Sequence, residues 1–376
     1  MTTAQICSPG GVLANIPGIL GFYPTDSVLL ASFAKFRGSE DNHALTSVVR
    51  VDTGDIPRLD LAYESISSQR TPDLVLIYLI CPTSERDALA KSLWQKLQSL
   101  DLPSPAMWHV EEIKYEERYQ LMLPPNESYE AYSDIWRGGI LPRITESATM
   151  RNLIMEDELP AVSREELLKI YSQDRSIEGF DEEQAEMRAY TLGCLVENFP
   201  EAFSVLDYLI PVPGIGMAVS APLDWDEKKD RKPDFGPRAK EDAHVLAHDI
   251  FSAIDRAENE DFDKFCGDIQ AMTLGALCCM DHRLSNVVLF ATDNHIRGVG
   301  DWMLAVAKTT GGAIRARALT LYAHSCIGRG LSSFALFTVK LALELNPDDM
   351  LARTLWKLLN LEDRGQTIDP RYLGDF

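Results

Sequence analysis

The sequence lacks any paired cysteine motif. Its seven cysteines stand at 7, 81, 194, 266, 278, 279 and 326, and none are spaced Cys-x-x-Cys, which excludes a zinc knuckle and a thioredoxin-type site. An odd, scattered set points to reducing surroundings, with Cys278 and Cys279 as small core residues of an apolar helix. Long apolar runs are missing too. The strand-like run Val75 to Cys81 is far short of the ~20 residues that a bilayer requires. The opening MTTAQICSPGG has neither the basic nor the apolar region of a leader. The expectation is a cytoplasmic protein without a membrane partner.

Basic charge is scarce. Lys and Arg number 36 against 57 Asp and Glu, a formal net charge of −21. Phosphate-backbone affinity comes from clustered cations, so no nucleic-acid partner is expected. The cluster Lys228-Lys229-Asp230-Arg231-Lys232 is flanked by Asp224, Asp226, Glu227 and Asp234 and reads as a solvated loop. There is no Walker-type loop and no Gly-x-Ser-x-Gly elbow. Gly214-Ile215-Gly216 lacks the third glycine and the preceding strand of a dinucleotide fingerprint. No cofactor is expected. Asn126-Glu127-Ser128 matches a glycosylation acceptor, which has no consequence in cytoplasm.

What remains is a chain of 376 residues with 45% apolar and 25% charged content, enough for about two ordinary domains. Its apolar rhythm changes along its length. Residues 1–125 alternate strand and helix signals. Ser8-Pro9 opens a short helix over Val12 to Leu20, interrupted at Ile16-Pro17-Gly18 and stopped at Gly21. Tyr23-Pro24-Thr25-Asp26 reads as a β-turn. Val28 to Phe36 and Leu45 to Asp52 form a hairpin. Leu59 to Ser67 is a helix, and Leu74 to Cys81 is a strand buried on both faces. Ser84 caps a helix to Leu100 with Ala88, Leu89, Leu93 and Leu97 inward. Met107 to Lys114 and Arg118 to Leu123 give a second hairpin, for a mixed α/β sheet of about five strands.

Residues 126–160 read as a connector, because Leu123-Pro124-Pro125-Asn126 breaks regular structure and no clean period follows. Residues 161–376 read as an all-α domain. Its helices are expected over Arg164–Gln173, Glu182–Asn198, Ala239–Ala257, Asp261–Met280, Leu284–Ala291, Gly298–Lys308, Ala313–Cys326, Ser332–Leu345 and Met350–Leu361. A Pro- and charge-rich loop over 211–237 splits them, as their most mobile segment. With Pro347 as the closing proline of a 34-residue unit, Leu319, Tyr322, Ala323, Ala335, Val339 and Ala342 take the packing positions of a tetratricopeptide-like helix hairpin. No second copy precedes it.

Three stretches, at the opening, the middle and the end, resemble one family. SPGGVLANIPGILGFYPTDSVLL, ITESATMRNLIMEDELPAVSREELLKIYSQD and LYAHSCIGRGLSSFALFTVKLALELNPDDMLARTLWKLL are similar to the signature, middle segment and closing hairpin of the domain of unknown function 4192 family, an uncharacterised group of mainly actinobacterial proteins. The resemblance covers most of the chain and implies a fold organisation, with no activity, substrate or cofactor. Two departures stand out. Relatives carry a cysteine- and glycine-containing segment after the fourth strand, where Tyr119 to Ser128 has no cysteine. Their Arg-Asp pair in a helix of the second half corresponds to Ser285-Asn286, after Asp281.

The most concentrated polar sequence is Gly21-Phe22-Tyr23-Pro24-Thr25-Asp26-Ser27. Thr25, Asp26 and Ser27 could present hydroxyls and a carboxylate at the mouth of the sheet, or bond their own turn while Phe22 plugs the core. Arg50 and Asp52 share one strand face. Together Gly21, Phe22, Thr25, Asp26, Ser27, Arg50 and Asp52 form a candidate ligand site. Glu241, His244 and His248 share a helix face and form a weak metal candidate, without a second ligand helix. Three roles stay open: a non-enzymatic interaction or regulatory protein using the exposed face of Ala313–Leu345; a small-ligand or nucleotide-sensing module using the α/β domain; and a hydrolase built on Asp26, Ser27 or Thr25, with His43 or His109 as base. A protein partner is expected, and homo-oligomerisation is left open.

Overall fold

The computed structural model describes residues 8–35, 43–67, 71–100, 102, 106–122, 133–203, 237–292 and 297–362. It divides into two compact units, the first holding the residues up to Lys169 together with 361–362 and the second holding residues 170–360. The expected loop over 211–237 lies outside the described residues up to 236, as do Gly214–Gly216, Lys228–Lys232 and Asn126.

In the first unit, α1 (Pro9–Leu20) starts where Ser8 Oγ accepts the Gly11 N–H at 3.0 Å. It ends at Gly21, which has φ 76° and donates its N–H to Pro17 O at 2.8 Å. That left-handed backbone suits glycine. The expected interruption at Ile16-Pro17-Gly18 does not occur. Pro17 forfeits one backbone donor, but Leu13, Ile16 and Asn15 around it are buried. Asn15 Nδ2 donates to Gly11 O at 2.8 Å, and its Oδ1 accepts the Thr149 N–H at 3.2 Å. Packing therefore carries the helix through the proline. The expected β-turn at Tyr23 to Asp26 is also absent. The chain runs extended, with Phe22 bridged in parallel to Ala161, whose carbonyl takes the Tyr23 N–H at 3.0 Å. Pro24 disfavours helical backbone at Tyr23, and the partner that completes the pairing lies far downstream.

Six strands follow: β1 (Ser27–Lys35), β2 (His43–Asp52), β3 (Leu74–Ile80), β4 (Ala106–Val110), β5 (Arg118–Met122) and β6 (Gly138–Ile140), in the order β2-β1-β3-β4-β5-β6. Both expected hairpins form, β1 with β2 and β4 with β5. Only β3 and β4 are parallel. Helix α2 (Leu59–Ser67) precedes β3, and α3 (Arg86–Leu97) crosses from β3 to β4. The expected start of α3 at Ser84 shifts to Glu85 as cap, so Ala90, Leu93 and Leu97 point inward while Ala88 is exposed.

Strand register sorts the side chains to two faces. Val28, Leu30, Ile77, Leu79 and Met107 pack under Leu59, Ile66, Ala90, Leu93 and Leu97. Leu29, Tyr78 and Trp108 lie on the opposite face, where the Tyr78 hydroxyl donates to Pro9 O of α1 at 3.3 Å. Burial on both faces explains why β1 and β3 are near-continuous apolar runs.

The sixth strand comes from the stretch read as a connector. Gly138 fits there because a Cβ would fall 2.9 Å from Tyr119 O. The same stretch holds α4 (Asp134–Arg137) and α5 (Ala148–Met155). Thr149 of α5 donates its hydroxyl to Asn15 O at 2.9 Å. α6 (Arg164–Ile170) follows.

The second unit is helical: α7 (Glu182–Asn198), α8 (Ala239–Asn259), α9 (Phe262–Cys266), α10 (Ile269–Met280), α11 (His282–Thr292), α12 (Arg297–Thr309), α13 (Gly312–Gly328), α14 (Ser332–Leu345) and α15 (Met350–Glu362). The single helix expected over Asp261–Met280 is two, because the Asp268 carboxylate takes the N–H groups of Gln270 and Ala271 and restarts the chain. Leu319, Tyr322, Ala323, Ala335, Val339 and Ala342 are all buried, as the hairpin pattern requires. At the crossing of α8 with α12, a Cβ on Gly298 would meet Ile254 O at 2.3 Å, so only glycine lets these helices close.

Candidate functional site

Register brings several chain ends to one end of the sheet. Ser27 of β1 stands opposite Asp52 of β2 and Ile80 of β3, and Ile80 stands opposite Val110 of β4. The carboxyl ends of the two parallel strands therefore lie beside the start of β1, the position where α/β sheets bind ligands.

Of the seven expected site residues, Thr25, Ser27, Arg50 and Asp52 bond to one another there, with the Phe22 ring beside them. Arg50 Nε donates to Ser27 Oγ at 2.8 Å, and its terminal nitrogen reaches Asp52 Oδ1 at 2.5 Å and Thr25 O at 3.5 Å. The guanidinium also lies 5.7 Å from the centre of the buried Phe22 ring. Ser27 Oγ donates to Thr25 O. Asp26 takes a left-handed backbone, φ 44°, and its carbonyl accepts the Thr53 N–H at 2.9 Å. Asp tolerates that conformation better than most residues. Gly21 stops α1. The cluster thus closes the entry to β1, with Thr25, Asp26 and half of Asp52 left at the surface.

This geometry is unfit for a Ser-His hydrolase. The Ser27 hydroxyl is fully buried, its proton goes to a carbonyl, and its neighbour is a guanidinium that does not give up a proton. His109 sits one residue out of phase with Val110, so its ring projects from the other face of the sheet. His43 pairs with Lys35 at the far end of β1, roughly 26 Å away at 3.3 Å per residue. Neither can reach within the ~3 Å that proton transfer needs.

A second polar group occupies that other face. Buried His109 places Nε2 3.0 Å from Cys81 O. A carbonyl only accepts, so Nε2 carries the proton and Nδ1 the lone pair. Thr83 donates to Glu111 at 2.8 Å, and Arg86 Nε donates to Asp87 at 2.8 Å. Burial pushes the Cys81 thiol up to about 11, with Glu85, Asp26 and Glu111 adding to the rise. The thiol stays protonated at neutral pH and is a poor nucleophile.

Burial also holds the His109 imidazole below its ordinary value, against the opposing Cys81 hydrogen bond. The unfolded chain takes up this proton near pH 6.5, and the folded chain does so only at lower pH. Stability from this residue is complete above about pH 6.5 and is lost as pH falls towards the folded value. Urea unfolding at pH 7.5 and 5.5 should show the loss, and His109→Gln should reduce it. An unchanged pH dependence in the variant would remove His109 from the explanation.

The metal candidate does not assemble. Glu241, His244 and His248 lie exposed on α8, where His244 Nδ1 bonds Lys240 O at 2.7 Å and His248 stands 3.6 Å from Asp249. Among the described residues, no three His, Cys, Asp or Glu side chains are grouped to hold a metal ion. None of the described helices is long and apolar enough to cross a membrane.

Sequence reasoning missed a cluster in the helical unit. Arg283 donates to Asp281 Oδ1 at 3.1 Å and Oδ2 at 2.8 Å, to Glu197 at 3.2 Å, to Tyr190 O at 3.1 Å and to Cys194 Sγ at 3.1 Å. It borders an open cleft of about 400 Å³ lined by Val196, Pro200, Phe203, Val287 and Phe290. Gly193 leaves room for the cluster, since a Cβ there would fall 2.3 Å from Asp281 Oδ1. Ser285 donates its hydroxyl to Cys278 O at 2.7 Å.

The family model described as Domain of unknown function (DUF4192) matches residues 9–196 and 218–361. The chain belongs to this family. No curated protein and no solved structure matches it. The DUF4192 match spans both the sheet unit and the helical unit, and its break at 197–217 begins in the last two residues of α7.

Proposed function

We propose that this DUF4192 protein is a non-enzymatic, cytoplasmic interaction protein whose partner docks on the segment joining α5 to α6. The observation that carries this reading is a run of exposed apolar side chains close together in the chain. Ile154, Met155, Leu159, Val162 and Leu168 are all exposed, Met155 by 83% and Val162 by 72%. Scattered single hydrophobics are ordinary on a surface, whereas a dense group marks a contact. The chemistry at the sheet end supports the same reading. Its serine is bonded, its thiol is protonated and its arginine is occupied.

The tetratricopeptide-like hairpin is a weaker dock than its sequence suggests. No residue from Ile314 to Arg329 is exposed, so α13 is a core helix. Only α14 offers a stripe, Leu336, Lys340 and Glu344. A photo-reactive phenylalanine analogue placed at Met155, and separately at Leu336, tests the choice in cells. The expected result is one dominant protein adduct from position 155 and none from 336. Absence of any adduct from 155 would end the proposal.

A further inference from the structure

We infer that β2 is a self-pairing edge: two copies of this chain join their β2 strands antiparallel across a two-fold axis at Val48, so that the two sheets become one.

The sheet has two edges, and they differ. β6 is three residues long with two glycines, too short to hold another strand. β2 is ten residues long, His43-Ala44-Leu45-Thr46-Ser47-Val48-Val49-Arg50-Val51-Asp52, with neither proline nor lysine. It stands first in the strand order, and among the described residues no strand pairs with its outer side. An edge of that length without a guarding residue is a template for another strand.

Which groups face outward follows from the register. In an antiparallel ladder the N–H and C=O of one residue share a side, and the side alternates along the strand. Thr53 donates its N–H to Asp26 O at 2.9 Å, so Val51, Val49 and Ser47 also turn towards β1, while Asp52, Arg50 and Val48 turn away. One extra residue then enters β2, because Ser32 pairs with Ser47 and Phe33 with Leu45. Thr46 is that residue, and the hydroxyls of Thr46 and Ser47 lie 3.1 and 2.7 Å from Ser32 Oγ. The bulge resets the phase. Phe33 O accepts the Asp73 N–H on the β3 side, so its partner Leu45 turns outward, as does His43. The outward series is His43, Leu45, Val48, Arg50 and Asp52.

Laid antiparallel on itself, this series is self-complementary. Val48 falls on the axis, Leu45 opposite Arg50 of the partner subunit, and His43 opposite Asp52 of the partner subunit. Asp52 Oδ1 is held by Arg50 and the side chain is 51% exposed, which leaves Oδ2 to accept an imidazole N–H at each end of the interface. Arg50 supplies a cation beside Asp52 and acts on Glu165 as well, so like charge does not line the edge. The residues from Ala44 to Val51 are half-buried, and a paired strand covers Leu45 and Val48 further. A slip of one residue sends every side chain to the wrong face, and a slip of two loses the His43–Asp52 pairs. An unrelated strand would meet the same backbone groups without those end pairs, which selects the second copy and an isologous dimer. β2 lies outside the segment joining α5 to α6, so this dimer and that docking role stand or fall separately.

Sedimentation equilibrium of the full chain should give a dimer at ~100 μM, as a dissociation constant of ~10 μM or tighter requires. Val48→Pro removes the outward donor on the axis without removing a bond to β1, and should weaken the dimer about tenfold or more at unchanged circular dichroism. His43→Asp sets carboxylate against carboxylate and should also weaken it, while His43→Lys should hold it. Because proline also fixes φ, cysteine placement gives an independent readout. Val48→Cys treated with oxidised glutathione should form an intersubunit disulfide, since the Cα atoms of a hydrogen-bonded antiparallel pair are ~5.5 Å apart. Val49→Cys, displaced from its own copy along both strands, should not. A monomer at ~100 μM, a disulfide at position 49 in place of 48, or a dimer indifferent to both Val48→Pro and His43→Asp would each overturn the inference.

Discussion

Replacing Asp281 by alanine should lower the stability of the helical unit by about 3 kcal/mol, near the bottom of the ~3–5 kcal/mol range for breaking a buried ion pair. Asp281 is 7% exposed and faces the half-buried Arg283 with both carboxylate oxygens. One of those oxygens also takes the Arg283 backbone N–H at 2.9 Å, which supports the start of α11. Removing the carboxylate leaves a guanidinium that cannot be neutralised by losing its proton. The effect falls at the low end because Glu197 stays at 3.2 Å and the Tyr190 ring at 5.1 Å. With a urea dependence of about 2–3 kcal/mol/M, the midpoint should drop by about 1–1.5 M. Asp281→Asn should lose less, since its amide oxygen still accepts the backbone N–H. A midpoint unchanged in Asp281→Ala would show that the pair contributes nothing net.

The contrast between that pair and the elements around it shows where sequence reading works. Helix α7 and helix α2 have the bounds their patterns predict, Glu182–Asn198 and Leu59–Ser67. Both follow the local apolar period, and the Asp181 side chain caps the start of α7. β3 is equally plain, because a strand covered on two faces is apolar at each position. The six hairpin positions from Leu319 to Ala342 are buried because small residues at helical spacing admit close helix contact.

What failed depends on contacts between distant residues. β6 is three residues long with two glycines, and only its pairing with Arg118, Tyr119 and Gln120 of β5 makes it a strand. α5 sits in a stretch without clear period, and Asn15 fastens it to α1. The candidate site divides in the same way. Composition and strand phase brought Ser27, Arg50 and Asp52 together. Their consumption by one another follows from the β1–β2 register, which pairs Ser27 with Asp52. The run of exposed hydrophobics over residues 154–168 was hidden because they are interleaved with carboxylates, a mixture that reads as a linker. Arg283 and Glu197 belong to helices whose approach no local pattern encodes.

Trp108 stands where these long-range contacts are densest, and its removal should cost the sheet unit about 3–5 kcal/mol, the usual range for Trp→Ala in a core. It is fully buried in β4, and its ring centroid lies 5.7 Å from both Tyr78 and Trp136. Its Nε1–H donates to Trp136 O at 2.7 Å, so one side chain holds a central strand, its neighbour β3 and α4 together. Trp108→Ala removes the ring contacts, opens a cavity beside Tyr78 and leaves a carbonyl without its donor. Trp108→Phe keeps most of the apolar volume and loses the donor, which should limit the loss to about 1–2 kcal/mol. Urea unfolding followed by circular dichroism separates the two substitutions by about 1 M in midpoint at the slope expected for a unit of this size. If alanine and phenylalanine cost the same, the hydrogen bond to Trp136 would be the main contribution and the packing minor. The burial of Tyr78 and Leu121 on either side of the ring predicts the opposite, because β3 and β5 both lose their neighbour on that face when the indole is gone.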